Sequence, residues 1–321
     1  MDTTNRLQLE SQLRDARRAE IERWTVAHNL EVRRKRFGNR RRRARGEAKR
    51  DLPLDLLAIG DSWFDYPLND YGHFSTNQDI IGEFGTQLQS MGNPPPTILS
   101  HALFGLSSTA MLTYERQEQI LSALTDPNTT QWNNGITADG SDDVVGDAFA
   151  IYLDYQGGGL DSFRFQGILA SVQASYLDLF ALRDISSAEV GIDPKQLPIF
   201  GHCYDYAILN GVPAGSPFPL SGPWLQPSLN FAGYDYNDGL TIVQAAIDAF
   251  KQKLLDLAND TVVPPGKTTN NFILVGTTGT LTRNNTRPNG WANELHPYTE
   301  GFTSLAARFL TTLQTHYPGK I

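Results

Sequence analysis

The stretch Leu56-Leu57-Ala58-Ile59-Gly60-Asp61-Ser62-Trp63-Phe64-Asp65 decides the fold of this chain. Its first four residues form an apolar run without helical spacing, which is typical of a buried strand in a parallel sheet. In open α/β sheets, functional side chains follow the carboxyl ends of the strands. Ser62 stands at that place, and a serine there can act as a nucleophile when a base reaches it.

The chain after this stretch alternates between apolar runs and amphipathic segments. The runs predict strands at 97–100, 197–201 and 271–276, and the helical spacings predict helices at 78–91, 110–124, 144–155, 161–183, 239–258 and 299–316. The strand expected near Ile136 is almost missing, and 211–233 has the Pro and Gly content of an irregular loop. We therefore expect one domain over 51–321, a three-layer α/β/α sandwich with a mostly parallel, flavodoxin-like sheet.

Residues 1–50 differ sharply in charge from the rest of the chain. They hold 16 Lys and Arg against 7 Asp and Glu, a net charge of +9, whereas 51–321 carries −17. This asymmetry predicts a separate basic N-terminal arm and linker on an acidic body, and the alternation of glutamates with arginines predicts that the arm is helical. The arm is expected to contact an acidic surface, such as the body itself, or to remain a solvated, mobile segment. Nucleic acid or anionic lipid is the alternative partner for the arm. No nucleic acid is expected for the body, and no aromatic residues alternate with the arginines as a base-stacking surface requires.

The composition excludes several classes of site. Cys203 is the only cysteine, so neither an intrachain disulfide nor a cysteine-based zinc site can form. No His, Asp and Glu cluster has metal-ligand spacing, so we expect no metal and no cofactor. The sequence also lacks a transmembrane-length apolar run and a signal-peptide pattern, which predicts a cytoplasmic protein.

His296 is the candidate base. It lies in Trp291-Ala292-Asn293-Glu294-Leu295-His296-Pro297, just before the predicted last helix. If that loop reaches the carboxyl end of the first strand, the imidazole can accept the proton of Ser62.

Four ordered segments resemble the GDSL/SGNH hydrolases, and in particular a bacterial subgroup with IGDSWFDYP, HGYDYP, GPWL and WANELHP motifs. Here they stand at 59–67, 202–206 (with Cys203 in place of glycine), 222–225 and 291–297. The resemblance implies an esterase that cleaves acyl or acetyl esters of a small molecule, a lipid or a carbohydrate. It also implies an oxyanion hole built by Ser62, Gly105 and the residue at position 142, with His296 as base.

The chain departs from the family pattern at two positions. Asp142 replaces the oxyanion-hole asparagine, and an ionised carboxylate accepts hydrogen bonds but cannot donate one. Asn293 replaces the triad aspartate; an amide can orient an imidazole but stabilises imidazolium less. Glu294 is an alternative acid, and a backbone carbonyl is an alternative orienting group. The competing interpretation is a binding protein with this fold that has lost catalysis.

Overall fold

The computed structural model describes residues 55–73, 75, 78–91, 97–125, 136–138, 159–215 and 222–318, together with isolated positions between 8 and 30. Apart from those positions, the predicted arm over 1–50 lies outside the described residues. Asp142 and the helix predicted at 144–155 also lie outside them.

A five-stranded parallel sheet forms the centre of the molecule, as the sequence predicts. Its strands are β1 (Asp55–Ile59), β2 (Thr97–Ser100), β3 (Ile136–Ala138), β4 (Ile199–His202) and β5 (Phe272–Val275). They are ordered β2-β1-β3-β4-β5, which is the flavodoxin-like order. The direction of winding changes between β1 and β3, so the carboxyl ends of these two strands border a crevice where such folds bind ligands.

The strand that the sequence almost lacks is present as β3. Its three residues pair in parallel with β1 on one side and with β4 on the other. Ile136 is the only large apolar residue of β3, so the strand has little sequence pattern of its own. Because β3 pairs with a strand on each side, three residues are enough to complete the sheet.

The helices form two groups on the two faces of the sheet. Their bounds are α1 (Ile80–Ser90), α2 (Tyr114–Thr125), α3 (Phe163–Glu189), α4 (Gln226–Phe231), α5 (Tyr236–Ala258) and α6 (Thr299–His316). Helix α1 packs on α6, whereas α3 packs on both α2 and α5. The predicted three-layer α/β/α architecture is therefore confirmed.

Several sequence-based boundaries are wrong. Helix α3 runs six residues past its predicted end at 183, and α5 begins three residues before its predicted start at 239. The helix predicted from Ala110 begins at Tyr114, after a separate 3-10 turn at Ala110–Leu112. The extended Thr113 between them interrupts the helical backbone. The loop predicted at 211–233 contains the six-residue helix α4, which begins beside Pro227. None of the described helices is long and apolar enough to cross a membrane.

Candidate active site

A tight turn after β1 presents Ser62. A Cβ atom on Gly60 would lie 2.7 Å from Cδ2 of Phe64, so glycine is required for this approach. The Asp61 side chain then accepts the N–H of Trp63 at 2.8 Å, and its carbonyl accepts the N–H of Phe64 at 3.2 Å. These bonds hold Ser62 just past the carboxyl end of β1, where the change in strand order opens the crevice.

A closed loop before α6 presents His296. Trp291 and Pro297 form an antiparallel bridge across its base. The carbonyl of His296 accepts the N–H groups of Ala292 at 3.0 Å and Asn293 at 3.2 Å. The loop therefore has an internal backbone scaffold, which limits the positions that the imidazole can adopt.

Trp63 joins the two loops. Its Nε1 donates a hydrogen bond of 2.9 Å to the carbonyl of Leu295, 232 positions away in the sequence. The buried indole also packs against Tyr204, Trp291 and Phe302, with ring centroids at 4.2, 6.2 and 6.2 Å. The residue next to the serine thus fixes the residue next to the histidine.

The structure places the Oγ atom of Ser62 2.8 Å from Nε2 of His296. On the other side of the ring, Nδ1 lies 3.0 Å from Oδ1 of Asn293. The same oxygen accepts the backbone N–H groups of Leu295 and His296 at 3.0 and 2.9 Å. Ser62, His296 and Asn293 therefore form a continuous Ser–His–Asn triad, buried to at least 94 % in each side chain.

The hydrogen bonds determine the tautomer of His296. Oδ1 of Asn293 can only accept, so Nδ1 carries the proton and Nε2 is left to accept from the Ser62 hydroxyl. Burial lowers the pKa of His296 from 6.5 to about 3, because water cannot solvate the imidazolium. At neutral pH the ring is accordingly neutral, which is the form that can accept a proton.

Two aromatic side chains border the imidazole. The Tyr66 ring stacks on it at a centroid distance of 4.2 Å and an interplanar angle of 22°. The Trp224 ring stands nearly perpendicular to it, at 5.9 Å and 69°. Tyr66 and Trp224 lie in the motifs at 59–67 and 222–225, but strand and helix patterns give no signal for a side chain that packs on another loop.

Glu294, the alternative acid, does not contact the imidazole. Its buried carboxylate accepts the N–H groups of Trp224, Leu225 and Gln226, the last two at 2.6 and 2.8 Å. Burial raises its pKa, and these backbone donors oppose that shift. Glu294 therefore anchors the start of α4, and with it the Trp224 ring beside the site.

Gly105 lies in a turn after β2. The N–H of Leu103 bonds the carbonyl of Gly60 at 3.0 Å, which continues the β2 chain alongside the end of β1. Gly105 follows with φ +69°, a conformation that favours glycine. Within the described part of the chain, the N–H groups of Ser62 and Gly105 have no acceptor. Asp142, the predicted third member of the hole, lies outside that part.

The segment after β4 has a structural role that the sequence did not reveal. Asp205 is buried, and its carboxylate accepts the N–H groups of Tyr206, Gly279 and Leu281 at 2.6 to 2.7 Å. It therefore fixes the loop after β5 that leads towards the His296 loop. No group of three or more His, Cys, Asp and Glu side chains among the described residues could hold a metal ion.

No model of a known protein family matches the chain, and no curated protein matches it either. Solved structures with a similar chain course include a lipase from a goat rumen metagenome, at 13 % identity, 81 % and 97 % coverage of this chain and of that one, and a TM-score of 0.49. A carbohydrate acetylesterase from Sinorhizobium meliloti is similar at 10 % identity, 82 % and 99 % coverage and a TM-score of 0.46. A putative SGNH hydrolase from Slackia heliotrinireducens is similar at 11 % identity, with 81 % of this chain and 99 % of that chain covered and a TM-score of 0.44.

Proposed function

We propose that this protein is a serine hydrolase that cleaves carboxylic esters, with Ser62 as nucleophile and His296 as base. The observation that carries the proposal is the 2.8 Å contact between Ser62 Oγ and His296 Nε2, in a site whose tautomer leaves Nε2 as the acceptor. A serine hydroxyl is a weak nucleophile unless a positioned base takes its proton, and this geometry supplies that base.

The reaction proceeds in two steps. Nε2 of His296 takes the hydroxyl proton while Oγ of Ser62 forms a bond to the ester carbonyl carbon. The carbonyl π electrons move to oxygen, and the N–H groups of Ser62 and Gly105 donate to that oxyanion. The C–O bond to the alcohol then breaks, and the alcohol leaves with the proton from Nε2. A water molecule enters, gives its proton to Nε2 and releases the acid from Ser62 by the same path in reverse.

Asn293 is the orienting member of the triad. Its oxygen holds the Nδ1–H tautomer, which is the role that the resemblance gives to an aspartate. Because an amide carries no negative charge, it stabilises the transient imidazolium less than a carboxylate would. We therefore infer a slower acylation than in a triad with a carboxylate.

The substrate is an acyl or acetyl ester of a small molecule, a lipid or a carbohydrate. Ser62 is only 6 % exposed and His296 only 4 %, which favours a slim acyl group at the reacting carbonyl. Asp142 belongs to this proposal as the third group of the oxyanion hole; it donates a hydrogen bond there only when its carboxyl is protonated.

Turnover of p-nitrophenyl acetate and labelling by a fluorophosphonate test this proposal. Ser62→Ala should abolish labelling and lower kcat by at least about 10³-fold, and His296→Ala should lower kcat similarly, because triad members act as a unit. Ser90→Ala, at an exposed serine of α1, is the matched control and should leave both readouts unchanged. Wild-type turnover in the Ser62→Ala or His296→Ala variant would refute the assignment.

A further inference from the structure

The amide oxygen of Asn293 accepts three hydrogen bonds. Oδ1 accepts from Nδ1 of His296 and from the backbone N–H groups of Leu295 and His296. This leaves Nδ2, which carries two hydrogens, in a side chain that is 98 % buried. A buried amide nitrogen without an acceptor loses its interactions with water and gains nothing in return.

Tyr66 supplies that acceptor. Its hydroxyl oxygen lies 3.1 Å from Nδ2 of Asn293, and the contact joins residues 227 positions apart. The amide would lose this bond if it rotated by 180°, and its NH₂ group would then face three other donors. The Tyr66 hydroxyl and the backbone of the His296 loop together select one amide orientation.

The same side chain also covers the imidazole. The Tyr66 ring lies at 4.2 Å and 22° from the His296 ring, close to parallel stacking, and Tyr66 is itself buried. A ring in this position excludes water from one face of His296. Burial is also what lowers the pKa of His296, and it raises the pKa of the Tyr66 phenol, so the phenol stays protonated.

Four carboxylates near the site accept hydrogen bonds from groups other than the imidazole. The Glu294 carboxylate binds backbone N–H groups at the start of α4. Asp61 accepts from the Trp63 backbone, and Asp65 accepts from the Phe104 backbone. Asp70 accepts from Thr299 at the start of α6 and pairs with Arg287. Burial is the cause of the lowered pKa of His296, and the stacked Tyr66 ring contributes to that burial. The Tyr66 hydroxyl acts on the imidazole through Asn293.

We propose that Tyr66 is a positioning residue of the triad: its hydroxyl fixes the Asn293 amide, and its ring keeps water from His296. This inference rests on the proposed function for its kinetic consequences. Its two parts belong to separate atoms of one side chain, so they can be removed separately. Phenylalanine removes the hydroxyl and keeps the ring, whereas leucine removes both.

Kinetics test the hydroxyl. Tyr66→Phe should lower kcat on p-nitrophenyl acetate by about tenfold, with KM unchanged, because the amide loses a buried partner. The same change should cost almost nothing when Asn293 is already alanine, since the hydroxyl acts through that amide. Tyr71→Phe, at a 75 % exposed tyrosine of the same loop, is the matched control and should behave as wild type. Wild-type kcat in Tyr66→Phe, or an equal loss in the Asn293→Ala background, would overturn the role of the hydroxyl.

Nuclear magnetic resonance of ¹⁵N-histidine-labelled protein tests the ring without any substrate. Wild type and Tyr66→Phe should show the Nδ1–H tautomer of His296 and no titration above about pH 4, whereas Tyr66→Leu should titrate at a higher pH as water reaches the imidazole. His296→Gln assigns the signal. An unchanged titration in Tyr66→Leu would overturn the role of the ring. If Ser62 in wild type neither labels nor turns over substrate, the proposed function fails, but this measurement still decides whether Tyr66 positions His296.

Discussion

Replacing His296 by glutamine should make the folded state less sensitive to acid. The pKa of His296 is about 3 in the folded protein and about 6.5 in an unfolded chain. Between these values the unfolded state binds more protons than the folded state, so the free energy of unfolding falls as pH falls below about 6.5. At pH 5 the difference spans about 1.5 pKa units, which corresponds to a loss of about 2 kcal/mol relative to pH 8.

Urea unfolding at pH 8 and pH 5 measures this contribution. Wild type should lose about 2 kcal/mol more than His296→Gln between the two conditions. Other groups with shifted pKa values, such as Asp205, Glu294 and His316, are present in both proteins and cancel in the comparison.

His73→Gln, the same change at an exposed histidine of the β1 loop, controls for the substitution itself and should follow the wild-type curve. Equal losses in wild type and His296→Gln would refute the buried neutral imidazole. The tautomer argument and the proposed mechanism would then lose their electrostatic basis.

Two further changes test neighbouring parts of the site. Asn293→Asp places a carboxylate beside Nδ1 of His296, which should raise the pKa of that imidazole by about 1–3 units. The acid limb of the pH profile of kcat/KM should move to higher pH by the same amount, and kcat should increase. An acid limb at the wild-type pH would contradict the contact between residue 293 and His296. Glu294→Gln replaces an anionic acceptor of three backbone N–H groups by a single amide oxygen. The variant should lose about 1–3 kcal/mol in the free energy of unfolding. Its KM should rise more than its kcat falls, because the Trp224 ring beside the imidazole becomes less firmly held while Ser62, His296 and Asn293 stay in place. A stable variant with a lowered kcat would instead indicate a direct catalytic role for Glu294.

The parts of the fold that the sequence predicts well are those where one segment carries a complete pattern. Strand β2 and helix α6 occur with the predicted bounds, and β1 and β5 lie within a residue of theirs. Strand β3 was nearly missed because its neighbours, not its own three residues, provide its stability. The Ser and Thr residues at 107–109 are typical of a helix N-terminus, but the 3-10 turn at Ala110–Leu112 follows them, with Ser107 Oγ accepting the N–H of Ala110, so α2 begins later than predicted.

The site divides in a similar way. The sequence singles out Ser62 and His296 as candidates, because a strand end and a motif each indicate one residue, and the structure brings the two side chains into contact. The roles of Glu294 and Tyr66 depend on the direction of a side chain, which sequence spacing does not specify. Glu294 is adjacent to Asn293, yet its carboxylate points to α4, and only the folded loop separates the two roles.

The neutral amide at position 293 balances two opposing requirements. A carboxylate there would stabilise the imidazolium, but it would also place a charge in a site that is almost fully buried, and burying a charge is costly unless it is well paired. Asn293 removes that cost and keeps the hydrogen-bond pattern, because its oxygen accepts three bonds and its nitrogen donates one to Tyr66. The consequence is an imidazole that stays unprotonated far into the acid range but is a weak base. We therefore expect the proposed reaction to be slower at neutral pH than with a carboxylate triad, and to persist at acid pH values where an imidazole paired with a carboxylate would already be protonated.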